Sequence, residues 1–178
     1  MFRLISILLL LTFIFFQPAA MAENTQAILK QGSLELAAMN SRHTDSSYSK
    51  GRGVYIGFSQ PLHVTEYGVT SLAFDGGYGN VGSISGEDEI GDPYSSRMTI
   101  IQMGLRGTAM FTDNMSVFAK FSAARVNPDS TDTTEDISLE GQLGLGFEWH
   151  LPKGLGLNVS YSQINSEVKS IMLGVTLR

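Results

Sequence analysis

The sequence predicts an all-β fold: eight antiparallel strands closed up and down into a barrel, behind an N-terminal export leader. Three observations predict it. Apolar and polar residues alternate with a period of two through nearly all of the chain after residue 22. The links between alternating segments run long and short by turns. No later segment keeps an i, i+3, i+4, i+7 stripe or an apolar run of membrane-helix length. Composition agrees. The chain has 178 residues, 43% apolar and 16% charged, which is one domain's worth and too apolar for a disordered chain. With no cysteine, a disulfide scaffold, a thiolate zinc site and a cysteine nucleophile are all excluded. A net charge of −5 argues against nucleic acid as a partner.

The leader comes first. Met1-Phe2-Arg3 supplies a positive start, Leu4 to Phe16 an apolar run, and Gln17-Pro18 a break. Ala20-Met21-Ala22 fits the small-x-small cleavage pattern, so residues 1–22 read as a signal peptide and the mature barrel domain as 23–178. The apolar run is shorter than the ~18 residues of a membrane helix.

The strands follow in order. Leu34, Leu36 and Ala38 alternate with Ser33, Glu35 and Ala37. Val54, Ile56, Phe58 and Leu62 alternate with Tyr55, Gly57 and Ser59, and Leu72, Phe74 and Tyr78 with Ser71, Ala73 and Asp75. The fourth segment carries Ile101, Met103, Leu105, Ala109 and Phe111 against Gln102, Gly104, Arg106 and Thr108. In the fifth, Met115, Val117, Ala119, Phe121 and Ala123 alternate with Ser116, Phe118, Lys120 and Ser122. The sixth, Ile137 to Leu151, is the cleanest: leucines, Phe147 and Trp149 on odd positions, Glu140, Gln142, Gly144, Gly146, Glu148 and His150 on even ones. Leu155 to Tyr161 and Ile171 to Leu177 complete the set. Most segments are near the nine or more residues that a tilted strand needs to cross a bilayer.

Links one, three and five are long and polar, at Ser41–Arg52, Asn80–Arg97 and Asn127–Asp136. Links two, four and six are short, at Pro61–Tyr67, Thr112–Asn114 and Pro152–Gly154. A seventh, at Ser166-Glu167, is short as well. Alternation alone does not say which face is inside. A soluble lipocalin-like barrel, binding a small apolar ligand, would turn the apolar residues inward. Long strands, loop asymmetry and aromatic placement favour the reverse: Phe58, Phe111 and Trp149 near the short turns, Tyr78 and Tyr161 near the long loops, as two interfacial girdles.

On these patterns, most clearly from Met115 to Arg178, the chain resembles the small eight-stranded outer-membrane barrels of the OmpA/OmpX type. The resemblance implies a transmembrane barrel in the outer membrane of a Gram-negative bacterium. It also implies a monomer whose partners are membrane lipid, lipopolysaccharide and a surface ligand met through the loops. Its expected function is non-enzymatic: envelope integrity, adhesion or surface interaction. An outer-membrane lipid-modifying enzyme is the alternative. Such barrels end on an aromatic residue, whereas this chain ends Leu177-Arg178.

The candidate chemistry is thin. Gly77-Tyr78-Gly79-Asn80-Val81-Gly82 matches G-x-G-x-x-G, but no helical period follows it, so a strand running into a loop is the reading and no cofactor is expected. His43, His63 and His150 are scattered, and no nucleophile–base set or catalytic residue can be named. The acidic residues Glu87-Asp88-Glu89, Asp92, Asp129, Asp132, Glu135 and Asp136 lack the spacing of a calcium loop, so no metal is expected. Arg42, Lys50 and Arg52 make the first loop the one to meet lipopolysaccharide phosphates. Counting back from the turn at Thr112–Asn114, with Phe111 opposite Met115, sets Arg106 opposite Lys120. Two like charges face to face require carboxylates nearby. Glu35, Asp75, Glu140 and Glu148 all fall on inward positions, predicting a charge network that plugs the lumen.

Overall fold

The computed structural model describes residues 27–43, 51–65, 69–87, 93–128, 139–164 and 168–178. The expected signal peptide, Lys50 and the acidic residues from Asp88 to Asp92 and from Asp129 to Asp136 lie outside the described residues. Eight strands follow in chain order: β1 (Ser33–His43), β2 (Gly51–Val64), β3 (Thr70–Glu87), β4 (Pro93–Thr112), β5 (Met115–Pro128), β6 (Leu139–His150), β7 (Leu155–Ile164) and β8 (Val168–Leu177). Each pairs antiparallel with the next, and β8 closes on β1, so the sheet is a barrel with no free edge along its wall.

Alternation sets the faces. Leu143 and Leu145, mid-strand on β6, are 64% and 66% exposed, and Leu36, Val54, Ile56 and Leu173 likewise face outward from other strands. Glu35, Asp75, Arg106, Lys120 and Glu148 are buried in the lumen. An apolar outside around a polar inside suits a hydrocarbon solvent, where every backbone group must be bonded within the sheet. The arrangement with apolar residues inside and charges outside is therefore not the one formed. Phe58, Trp149, Tyr78 and Tyr161 are on the outward face as the girdle pattern requires.

Several boundaries differ from the sequence reading, each for a local reason. The long link expected over Asn80–Arg97 is mostly strand: β3 and β4 continue to Glu87↔Pro93 as a paired hairpin. Its Gly- and Ser-rich composition reads as loop, but backbone pairing does not need apolar side chains. β6 is described from Leu139 onward, and Ile137 lies outside the described residues. β2 runs through His63 to Val64 with an irregular register between Pro61 and His63, since Pro61 has no N–H for the ladder. At the fourth link Thr112, not Phe111, pairs with Met115. Phe111 is an unpaired bulge residue, which leaves Arg106 opposite Lys120 as counted. At the sixth link Lys153 (φ 65°) and Gly154 (φ 75°) turn the chain tightly.

The links after β2, β4 and β6 lie on the side of the barrel where β1 begins and β8 ends. That side is the periplasmic mouth. There residues 27–29 form a single helical turn that the alternation did not foreshadow, with Leu29 buried.

Candidate functional site

The lumen is the chemically dense part of the molecule, and its periplasmic half is ionic. Arg106 Nη2 donates to Glu148 Oε2 at 2.7 Å, across β4 and β6. Arg178 Nη2 donates to the other oxygen of the same carboxylate, also at 2.7 Å. Lys120 Nζ lies 3.3 Å from Glu35 Oε2 and 3.3 Å from Asp75 Oδ1, tying β5 to β1 and β3. The cations Arg106, Lys120 and Arg178 thus balance the carboxylates Glu35, Asp75 and Glu148. This balance is what makes the burial tolerable, because an unpaired charge in such a space costs several kcal/mol on the order of a full folding margin.

Aromatic rings support the cations. The Arg106 guanidinium carbon sits 3.8 Å from the Phe118 ring centre, and Lys120 Nζ lies 5.5 Å from Phe118 and 5.7 Å from Tyr55. Both rings lie flat along the wall because glycines leave them room. A β-carbon on Gly146 would collide with Phe118, and one on Gly77 with the Tyr55 hydroxyl. A β-carbon on Gly79 would meet Tyr55, Met39 and Ile100 less severely, at 3.1–3.2 Å. The G-x-G-x-x-G stretch is thus a strand that accommodates an aromatic lumen. Tyr55 Oη accepts a hydrogen bond from Gln102 Nε2 at 2.7 Å.

Toward the extracellular end the lumen changes character. Ala37, Met39, Ile100, Ala124, Ile164, Val168 and Met172 pack with Tyr55 into one buried apolar cluster. The alternation assigned the inward face to polar and small residues; in this half large apolar side chains join them, beside the buried Ser41, Ser122, Gln142 and Ser170. Between the two ends the buried inward side chains share the narrow lumen of an eight-stranded wall. A small recess lies at the periplasmic mouth. It has a volume of about 20 Å³, room for one water, among Ile28, Leu29, Ser59, Ala73, Arg106 and Arg178.

Of the residues expected in the charge network, Arg106, Lys120, Glu35, Asp75 and Glu148 are brought together. Glu140 is not with them: it pairs in register with Ala124, toward the opposite end of the barrel, and is half-buried. Arg178 and His150 were missed, although a signal for both existed. Inward residues of β8 and β6 occupy even positions, and Arg178 and His150 continue those series past Thr176 and Glu148. His150 brings an arrangement of its own. Ser116 Oγ and His150 Nε2 are 2.9 Å apart, and His150 Nδ1 is 3.7 Å from Glu148 Oε1. The order Ser–His–Glu is that of a hydrolytic triad, but the second contact is too long for a hydrogen bond and Glu148 is already held by two arginines. Ser116 is 0% exposed. His63 is exposed near the end of β2, and His43 ends β1. Arg42 and Arg52 face outward near the extracellular rim.

An outward apolar belt around a charge-balanced lumen defines a membrane-spanning barrel. The chain belongs to the outer membrane protein β-barrel domain family, whose model matches residues 6–178. It is an outer-membrane protein of a Gram-negative cell. No curated protein matches it in sequence. Among solved structures it is similar to the outer membrane protein Ail of Yersinia pestis in a phospholipid bilayer nanodisc, with 11% identity, TM-score 0.53, and coverage of 83% of this chain and 99% of that one. It is also similar to the N-terminal β-barrel domain of Pseudomonas aeruginosa OprF, at 14% identity and TM-score 0.50, covering 83% and 98%. The outer membrane enzyme PagL matches at 14% identity and TM-score 0.50, covering 80% and 98%. At these identities the likeness is one of fold.

Proposed function

We propose that this barrel is a non-enzymatic surface protein whose activity, adhesion or a related surface interaction, resides on its extracellular side. The observation that carries the reading is the β3–β4 ribbon. Pairing of β3 to β2 ends at Tyr55↔Gly79 and pairing of β4 to β5 at Met98↔Pro128. Pairing of β3 to β4 continues to Glu87↔Pro93. Ser83–Glu87 and Pro93–Arg97 therefore form a two-stranded ribbon projecting about 17 Å past the wall. The charged and aromatic side chains buried inside the barrel support the same reading, since an eight-stranded wall is just wide enough for side chains to fill. The attachment invasion locus protein of Yersinia pestis has this fold as well.

Replacing Ser83–Arg97 by a two-residue turn tests the proposal. The shortened barrel is expected to keep its heat-modifiable migration in gels while cells bearing it lose attachment to coated surfaces. Unchanged attachment would sink the idea.

The alternative, a lipid-modifying enzyme, draws on the Ser116–His150 contact. Mass spectrometry of lipid A from cells with and without the protein separates the two. A mass change abolished by Ser116→Ala would favour the enzyme, and an unchanged lipid A the surface protein.

A further inference from the structure

The buried charges of the lumen balance as a set but not locally. Glu35 and Asp75 share Lys120, which leaves that cluster with negative charge in excess. Arg106 and Arg178 share Glu148, one on each carboxylate oxygen, which leaves the other cluster with positive charge in excess. The positive cluster is the one that meets the recess at the periplasmic mouth. Arg106 and Arg178 line it, whereas Glu35, Asp75, Lys120 and Glu148 do not. Both arginine side chains are held in place and nearly covered, at 4% and 8% exposed. Each guanidinium carries more N–H donors than the single carboxylate oxygen it meets can engage.

Much of the remaining lining is hydroxyl. Ser33 pairs with Ser59 across β1 and β2, and Ser71 with Thr108 across β3 and β4, all on the inward face at the recess. Ser59 and Thr108 are themselves buried. A hydroxyl donates to an anion or accepts from a cation, so the two arginines decide the sign of what fits. Among the described residues no carboxylate lines the recess. A concavity walled by one sign of charge in a poorly polarisable surrounding concentrates counter-ions. Size decides the rest. The volume is about 20 Å³, and Leu29, buried in the helical turn at residues 27–29, is part of the wall. One water or one monatomic ion can be held there; a phosphate, a sulfate or an organic acid cannot.

We propose that this recess binds a single halide ion, chloride from the periplasmic medium. Arg106 and Arg178 supply charge-assisted N–H donors, and Ser59 and Thr108 supply O–H donors from β2 and β4. The ion offsets the local excess of positive charge, which Glu148 alone leaves half compensated. Arg106 stands on β4 and Arg178 follows β8, so the site exists only in the closed barrel. It lies at the end opposite the β3–β4 ribbon and stands whether or not that ribbon is adhesive.

The test uses the full mature barrel in phosphatidylcholine nanodiscs, titrated with sodium chloride against sodium gluconate at constant ionic strength. Chloride NMR linewidth reads the bound ion directly, and crystals soaked in sodium bromide should show an anomalous peak between Arg106 and Arg178. Broadening above that of empty nanodiscs, removed by bromide, is the result expected. Arg178→Gln takes away one charge-assisted donor and should weaken chloride binding about tenfold. Heat-modifiable migration checks the fold. If that variant does not assemble, Thr108→Val, which keeps every charge and removes one hydroxyl, carries the test at about fivefold. Lys153→Gln removes the same charge from the neighbouring turn, outside the recess, and should change nothing; an equal loss there would reduce the effect to bulk charge and overturn the site. Absence of excess broadening, or density in the recess with no bromide signal, would make it a place for one water and overturn the proposal. Displacement of chloride by inorganic phosphate as readily as by bromide would overturn the selection by size on which the assignment rests.

Discussion

The two halves of the lumen fill the same narrow space by opposite means. Near the periplasm, Arg106, Lys120 and Arg178 interlock with Glu35, Asp75 and Glu148, and each contact depends on charge and direction. Nearer the cell surface, Met39, Ile100, Ile164, Val168 and Met172 pack as an apolar cluster beside the neutral hydrogen-bonded pairs Ser41–Ser170 and Ser122–Gln142. The ionic half tolerates changes of shape but not the loss of one sign; the apolar half tolerates a change of residue that conserves volume. An apolar cluster placed inward gives the barrel a core of soluble-protein type within a wall whose outside is dissolved in lipid.

The largest effect should come from Glu148→Ala. It removes the carboxylate shared by Arg106 and Arg178 and leaves two buried guanidinium groups unpaired, at a cost of about 3–5 kcal/mol. Urea unfolding in lipid vesicles, followed by the single Trp149, measures it. Adding Arg106→Met should recover part of that loss; strict additivity of the two would show that the groups do not interact. Next comes Gly77→Ala, at the boundary between the halves. The added methyl must displace Tyr55 from Gln102, and about 1–3 kcal/mol of overpacking is expected from the same measurement. A neutral result would mean that the ring does not lie on that glycine. Ile164→Val, in the apolar half, should cost about 0.5–1.5 kcal/mol with no dependence on salt. Met172→Leu, which conserves volume, should be the mildest at under about 1.5 kcal/mol. If Met172→Leu proved as damaging as Glu148→Ala, the contrast between the halves would collapse.

The same contrast explains what could be read from the sequence. Alternation exposed the outward belt, the closed order of strands and the opposition of Arg106 to Lys120, because the lipid face admits few polar residues and keeps its period. The apolar half of the lumen was illegible for the complementary reason. Ile100 and Ile101 are both apolar and point to opposite faces, so periodicity carries no information there. Arg178 went unread because parity was not followed beyond the last residue of the alternating run. The ribbon was hidden by composition: its glycines and serines signal a loop, while its order comes from backbone pairing that side chains do not announce. Sites that depend on closure, such as Arg178 beside Arg106, emerge only once β8 is laid against β1.

That seam has a consequence for how long the molecule lasts. Ten residue pairs join β1 to β8, from Leu34↔Leu177 to His43↔Val168. Almost the whole chain separates the partners, so bringing them together is slow and comes late in folding. Once made, the seam is sheathed in hydrocarbon, where no water waits to take over a broken backbone bond. Opening must break the ladder and expose Glu35 and Arg178 from the network at the same time. Folding and unfolding should therefore trace different curves in denaturant on laboratory timescales, and the persistence of the barrel in a membrane is set by the height of that barrier more than by its equilibrium stability.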